Sequence, residues 1–247
     1  MPAPGALPPG RKLRSRKPAA RPPRAPLTLE NLAEAAFQVI EREGLDSLTM
    51  RKVADELGIQ AASLYWHVKD KLDLIDVLAE ALFAGFAPED WTDGALDGDE
   101  EDWQAHLSRF AYAFRRYLLS RRDAARILTS KFVVGPSMLR HLDEQLGWIR
   151  RAGVDDRSAA YGFYNTLVFV HGSVLWETSP LSAAVARGVE PRQYLSELRA
   201  ELDDLDPDAH PHAHALADEL TRPGMDERFA FGLNCLLAGL GQQLDQQ

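Results

Sequence analysis

Gln60, Ser63 and His67 fall at i, i+3 and i+7 of one short run, which on a helix sets an amide, a hydroxyl and an imidazole on a shared face. Ala61 and Ala62 lie between them and are small enough to let a partner surface come close to the backbone. A face of this kind suits the edges of bases in the major groove of duplex DNA. An amide can pair bidentately with adenine, a hydroxyl can donate or accept, and an alanine methyl can meet a thymine methyl. Tyr65, His67, Lys69 and Lys71 follow as candidate phosphate contacts that would fix the register, and Arg51 precedes them as a base or backbone contact. Of the two adjacent aromatics, Tyr65 reads as exposed and Trp66 as packing inside the small unit.

Other chemistries find less support. The single cysteine, Cys235, excludes a disulfide framework and a thiolate zinc site, and within an apolar helix it reads as a small core residue. The sequence contains no Gly-x-Ser-x-Gly, no phosphate-binding Gly-Lys-Ser/Thr loop and no Gly-x-Gly-x-x-Gly. None of its seven histidines follows a glutamate by three positions, as a di-iron helical bundle requires. His210, His212 and His214 alternate beside Pro207 and Pro211 and read as a solvated loop. The expectation is therefore a protein that is neither an enzyme nor a metal or cofactor carrier.

The elements that must position the face are helical. Leu29, Leu32, Ala33, Ala36, Phe37 and Ile40 form one stripe of a 3.6-residue period, with Thr28 as N-cap and Gly44 as the residue past the end. Thr49 caps a second, short helix ending at Gly58, and Gln60 to Val68 give a third. Two short helices joined by a tight Gly-containing turn have the shape of a helix-turn-helix. Leu72, Ile75, Leu78, Ala79 and Leu82 predict a long fourth helix, and the acidic stretch 87–102 breaks the pattern. Helical periods resume over Trp103–Leu119, Met138–Ala152 (stopped by Gly153), Ser158–Thr178 (stopped by Pro180) and Asp226–Leu244, with a polar loop near 203–215. No stretch alternates convincingly as a strand, so the fold is read as all-α. The expected divisions are a tail (1–27), a three-helix helix-turn-helix unit (28–73, motif about 49–68) and a helical body (74–247).

The 247 residues carry a net charge of -9, unevenly spread. Residues 1–27 hold seven bases, no acid and eight prolines, which reads as a disordered arm able to meet a polyanion or merely to aid solubility; the remainder carries -16. The 28–71 segment has eight acids against five bases, an awkward balance for a DNA reader because phosphate neutralisation is a large part of DNA affinity. The basic arm and dimerisation are the available remedies. The chain lacks a signal-type apolar core and any run of about 18 uninterrupted apolar residues, so a cytoplasmic protein that does not enter membranes is expected.

The run from Leu48 to Ile59, followed by Ser63-Leu64-Tyr65-Trp66-His67-Val68-Lys69-Asp70-Lys71, resembles the DNA-binding domain of the tetracycline-repressor family. Phe114-Arg115-Arg116, Leu118-Leu119-Ser120, Arg122-Asp123 and the final helix around Phe231-Gly232-Leu233 extend the resemblance toward the subgroup nearest tetracycline repressor itself. The resemblance implies a homodimeric repressor that binds an operator in double-stranded DNA and leaves it when its helical body takes up a small-molecule effector. The alternative is a ligand-binding helical protein without operator-specific repression, or an activator. By resemblance Arg51, Ser63, Tyr65, His67 and Lys71 match DNA-contacting positions. Ala61 and Ala62 match two more but differ in type, so a different operator is implied.

The family's drug-bound metal is ligated by a histidine where this sequence has Leu128, and a polar amide contact falls at Phe110. A second histidine of the family falls near Ala87, and among the ligand-contacting positions only Phe114 keeps its type. An alkyl side chain cannot ligate Mg²⁺, so the expected effector is more apolar and metal-free. Trp103, Phe110, Phe114, Leu128, Asn165, Phe169 and His171 are the candidate lining, with Phe132, Trp148, Phe163, Tyr164 and Trp176 as further aromatics. Asn165 and His171 stand out as polar residues in the most apolar helix. The fourth helix, running from Lys71 toward Phe83, would carry a tilt from the body to the reader and so alter the spacing of the two recognition helices, which must suit half-sites roughly 34 Å apart. The last two long helices of each chain, with Gly232 and Gly239 allowing close approach, would form the dimer.

Overall fold

The computed structural model describes residues 27–87, 103–130, 135–222 and 224–244. The tail, the acidic stretch 88–102 and Phe132 lie outside the described residues. Where the chain is described, the fold is all-α, without strands.

Local sequence signals start and stop the first helices. Thr28 Oγ1 accepts the N–H of Asn31, opening α1 (Leu29–Glu43), and Gly44 closes it at φ +83°. A 3₁₀ turn (Leu45–Ser47) leads to α2 (Met50–Leu57), where Thr49 accepts the N–H of Lys52. Gly58 adopts the left-handed conformation at φ +62°, which an L side chain rarely takes, and turns the chain into α3 (Ala61–Leu64). Leu32, Ala36, Val39, Ile40, Leu48, Val53 and Leu64 are buried between these elements.

The third helix is shorter than the pattern Gln60–Val68 predicts. Gln60 is its cap position, and after Leu64 the backbone closes as a turn, with the N–H groups of His67 and Val68 donating to the Leu64 carbonyl at 2.8 and 3.0 Å. Asp70 begins α4 (Lys71–Gly85) by accepting the N–H groups of Leu72 and Asp73. Leu74, Leu78, Ala79 and Leu82 are buried along α4, whereas Leu72 and Leu29, assigned to the apolar stripes, are largely exposed at the starts of their helices.

The body comprises α5 (Trp103–Leu119), α6 (Ala124–Ser130), α7 (Pro136–Arg151), α8 (Asp156–Arg187), α9 (Pro191–Asp203), α10 (Pro211–Ala215), α11 (Ala217–Thr221) and α12 (Met225–Leu244). α8 packs on α5, α7 and α12, and α4 lies against α1, α6 and α7. Arg115 of α5, 7% exposed, ties three helices together by donating to Glu177 of α8 and pairing with Asp226 of α12 at 2.6 Å.

Two expectations are corrected here. Pro180 does not stop α8, which continues to Arg187. Proline removes one N–H and crowds the carbonyl four residues back, a local loss that the remaining hydrogen bonds of a 32-residue helix can absorb. The polar segment near 203–215 is partly helical. His210 stands at the position before α10 (Pro211–Ala215), so His212 and His214 sit on a helix and not in a loop.

Candidate functional site

The unit formed by α1 to α3 presents the predicted face outward. Gln60, Ala62, Ser63, Tyr65, His67, Lys71 and Arg51 are exposed, while Ala61 is half-buried and packs against the core. Trp66, read from sequence as a packing residue, is 90% exposed. It follows α3 in the turn, where Leu64 and Val68 already occupy the interior and leave the intervening side chains outside. The structure thus sets Tyr65, Trp66 and His67 together at the outer end of α3. Lys71 also reaches inward, donating from Nζ to the Leu45 carbonyl at 3.3 Å.

A groove of about 660 Å³ runs beside this face, lined by Leu27, Glu34 and Gln38 on one side and Glu56, Ser63, Trp66 and His67 on the other. Glu34 and Glu56 bring two carboxylates to it, and Leu27, Ala35, Leu57, Ile59 and Trp66 supply much of the remaining lining. A second cavity, about 510 Å³, lies in the body between α4, α6, α7 and α8. Its walls are Ala79 and Phe83, Leu128 and Thr129, Met138, and the α8 residues Tyr164, Leu167, Val168, His171, Gly172 and Leu175. That size and lining match a small-ligand site.

Behind the chamber sits an aromatic wall. Phe86 packs on Phe110 and Phe114 with ring centroids 5.9 and 5.1 Å apart, and Phe110 meets Phe163 at 5.5 Å. Phe110 and Phe114 border a residual void of about 30 Å³ that shares Phe83, Met138 and Leu167 with the larger chamber. The Phe114 ring meets the His171 ring edge-on at 5.4 Å.

His171 is the polar feature of the chamber. Its Nδ1 donates to the Leu167 carbonyl at 2.8 Å, and its buried Nε2 has no partner among the described residues. Burial pushes the imidazole pKa below its ordinary value, favouring the neutral ring, in which Nε2 is an acceptor. Thr129 also lines the chamber, with its hydroxyl donating to the Ala125 carbonyl.

The other sequence candidates lie elsewhere. Asn165 is exposed and donates its amide to the Tyr161 carbonyl at 2.8 Å; one position beyond Tyr164 is about 100° around the helix, off the chamber face. Phe169 packs on Phe229 of α12, its centroid 5.2 Å away. Trp103 is half-buried at the start of α5, away from the cavity. The Tyr164, Val168, His171, Leu175 spacing of three and four, which runs along one side of α8, was the sequence signal for this wall.

Sequence reasoning missed the joint between reader and body. The turn between α5 and α6 grips the corner after α1. Arg122 donates to the Glu41 carbonyl at 2.9 Å, Asp123 accepts the N–H of Leu45, and Arg126 pairs with Asp46 at 2.7 Å. Arg126 lies in the first turn of the same seven-residue helix, α6, whose Leu128 and Thr129 line the chamber wall.

The α8–α12 surface departs from expectation in two places. Gly232 serves an internal contact, since a Cβ there would come within 2.7 Å of the Phe169 ring. Cys235 is exposed in the single chain, not a core residue, and Phe231 is 74% and Trp176 75% exposed. Among the described residues, no group of three or more His, Cys, Asp or Glu side chains is placed to hold a metal, and no helix is long and apolar enough to cross a membrane.

Comparison with known proteins completes the picture. Residues 32–78 match the model of bacterial regulatory proteins of the tetR family, and residues 97–244 match the tetracyclin repressor-like C-terminal domain. The chain is 37% identical over 211 residues to the class A tetracycline repressor protein of transposon 1721 from Escherichia coli, covering 85% of this chain and 88% of that protein. It is similar in structure to ActR of Streptomyces coelicolor in complex with actinorhodin, with 28% identity and a TM-score of 0.73 over 89% of this chain and 99% of that one. A TetR variant from Acinetobacter baumannii in complex with minocycline is 29% identical, with a TM-score of 0.63 over 89% of this chain and 99% of that one. One family model alone covers more than half of the chain and the E. coli relative spans nearly all of it, so the chain belongs to the tetracycline-repressor family: it is a ligand-responsive, DNA-binding transcriptional repressor and not an enzyme.

Proposed function

We propose that residues 28–73 form the operator reader, with Gln60, Ala61, Ala62 and Ser63 at base edges and Arg51, Tyr65, His67 and Lys71 fixing register, and that residues 74–247 form the effector and dimerisation domain. The exposure of this face, which follows the Thr49-capped α2 and the turn at Gly58, supports the assignment. Two copies joined through α8 and α12 present two such faces to a two-fold operator, in the cytoplasm where the DNA lies. The exposed Trp176 and Phe231 support that pairing surface.

The effector is a largely apolar, metal-free molecule carrying at least one hydrogen-bond donor. The observation that carries this reading is the chamber of about 510 Å³ whose one buried, unpartnered polar atom among its described lining is the acceptor Nε2 of His171. Leu128 supplies no donor atom for Mg²⁺. The actinorhodin complex of ActR, a protein of similar fold, supports an organic ligand in this body.

Ala79 and Phe83 put α4 in the chamber wall, while Leu74 and Ile75 on the same helix are buried in the core shared with the reader. A ligand that prefers one tilt of α4 changes the distance between recognition helices, and release follows from its differential affinity for the two states. The test is fluorescence anisotropy with DNA selected from a random pool, followed by a screen of fused-ring compounds bearing hydroxyl groups. Release by such a compound, lost in a His171→Phe variant, is the expected outcome. Release by tetracycline with Mg²⁺ would overturn the metal-free reading.

A further inference from the structure

α7 begins without a cap of its own. Gly135 holds the cap position with no side chain to accept a bond, and Pro136 follows with no N–H. A residue of another helix takes the role: Glu80 of α4 accepts the N–H of Ser137 through Oε1 at 2.9 Å. A carboxylate there also meets the positive end of the α7 dipole. The approach is so close that a Cβ at Gly135 would collide with Glu80 Oε2.

This contact belongs to a larger fastening. One turn further along both helices, His141 Nε2 donates to the Phe83 carbonyl at 2.9 Å. From α5, Tyr117 donates its hydroxyl to the Leu82 carbonyl at 2.7 Å. The last turns of α4 are thus fixed to the body at Glu80, Leu82 and Phe83, whereas Lys71 at its start reaches the reader through the Leu45 carbonyl. Tyr117 and His141 serve carbonyls at the end of α4 itself; Glu80 instead holds the start of another helix. Ala79 and Phe83, on either side of Glu80, line the chamber, and Met138, next to Ser137, lines it from α7. An occupant therefore presses on both sides of one hydrogen bond.

We propose that Glu80 is a positioning residue for the ligand response. Its carboxylate makes α4 and the start of α7 move as one, so a displacement of Met138 by an occupant of the chamber passes to α4 and on to the reader. Nine positions along α4 separate Glu80 from Lys71. That is about 14 Å of helix, so a tilt of about 5° at Glu80 moves Lys71 by about 1 Å. The inference deepens the reading above and rests on it: α3 meets DNA, and α4 carries the tilt. Because linkage is reciprocal, the connection can be followed from the DNA side without a ligand.

The experiment measures backbone hydrogen exchange of residues 138–142 in the full chain, with and without DNA selected from a random pool. The parent is compared with Glu80→Ala, Glu80→Gln and Gly135→Ala, the last displacing the carboxylate while leaving Glu80 in place. Thermal melting verifies that each variant is folded. In the parent, DNA should slow this exchange about fivefold or more, by holding α4 to one tilt. In Glu80→Ala and Gly135→Ala the DNA effect should fall below about twofold, and Glu80→Gln, which keeps an acceptor for the Ser137 N–H, should retain it. A cap of purely structural importance would speed exchange equally in both states and leave the ratio unchanged. A ratio that persists in either Ala variant would therefore overturn the inference. So would a parent that binds DNA with no effect on α7, which leaves the α3 reading intact. Loss in Glu80→Gln would overturn the hydrogen bond as the connection. A parent that binds no DNA would overturn the α3 reading and the inference with it.

Discussion

Asp123 Oδ2 accepts the backbone N–H of Leu45 at 2.8 Å, across 78 residues of chain. Asp123 is also the one non-glycine residue with positive φ among those described, at 60°. Aspartate and asparagine tolerate that backbone better than most residues. The position therefore demands both a short acceptor and tolerance of the left-handed region.

Replacing Asp123 separates these demands. Asp123→Ala leaves a part-buried N–H without its partner and should cost about 1–3 kcal/mol in denaturant unfolding. Asp123→Asn keeps an acceptor and the backbone preference, so it should lose less than half as much. Equal losses in the two variants would show that the charge, through Arg126 at 3.0 Å, matters more than the acceptor.

The outer end of α3 should be thermodynamically quiet. Tyr65 is 56% and Trp66 90% exposed, and surface substitutions of this kind usually change stability within about 0.5 kcal/mol. Tyr65→Ala should leave the melting temperature nearly unchanged yet weaken operator binding about tenfold or more, read by anisotropy. A large fall in melting temperature would mean that the ring packs inside.

Stability should fall on mild acidification. Burial holds the imidazoles of His106 and His171 below the ordinary 6.5, so the unfolded chain takes up protons that the folded chain refuses. The folded state is therefore at full advantage above pH 6.5, and loses it as pH drops through the window below that value toward the depressed folded ones. Denaturant midpoints measured from about pH 7.5 to about pH 5 should show the decline, and His171→Phe should flatten part of it. An identical pH profile in that variant would contradict the role assigned to burial.

Phe231 tests the pairing surface. At 74% exposed, Phe231→Glu costs the single chain little, but it places charge on a surface meant to be apolar in the dimer. Sedimentation should show a shift from dimer toward monomer, with operator affinity falling as the two readers separate. A variant that remains a dimer would move the interface off this part of α12.

Much of this molecule could be read from local signals. Thr28, Gly44, Thr49, Gly58 and Gly153 mark helix ends because capping and left-handed turns depend on the residue itself. Trp66 misled because a large aromatic is a core residue on average, and only tertiary packing reveals that Leu64 and Val68 have taken the interior. Pro180 misled because a long helix can continue through the loss of one backbone hydrogen bond. In the chamber, Leu128 and His171 line the wall, Phe110 and Phe114 stand behind it, and Asn165 faces out. A one-residue change of phase on a helix decides such outcomes, and composition does not encode it. The contacts of Asp123 and Arg126 left no local trace, since their partners lie some 80 residues away.

The seven residues of α6 join the chamber of the helical body to the grip on Leu45 and Asp46. Linkage is reciprocal: whatever factor an effector takes from operator affinity, the operator takes from effector affinity. A molecule seated on its DNA is thus a less sensitive detector than one free in solution. The effector level at which a gene opens depends on how tightly its operator holds the protein, so two operators of unequal strength would answer the same signal at different concentrations.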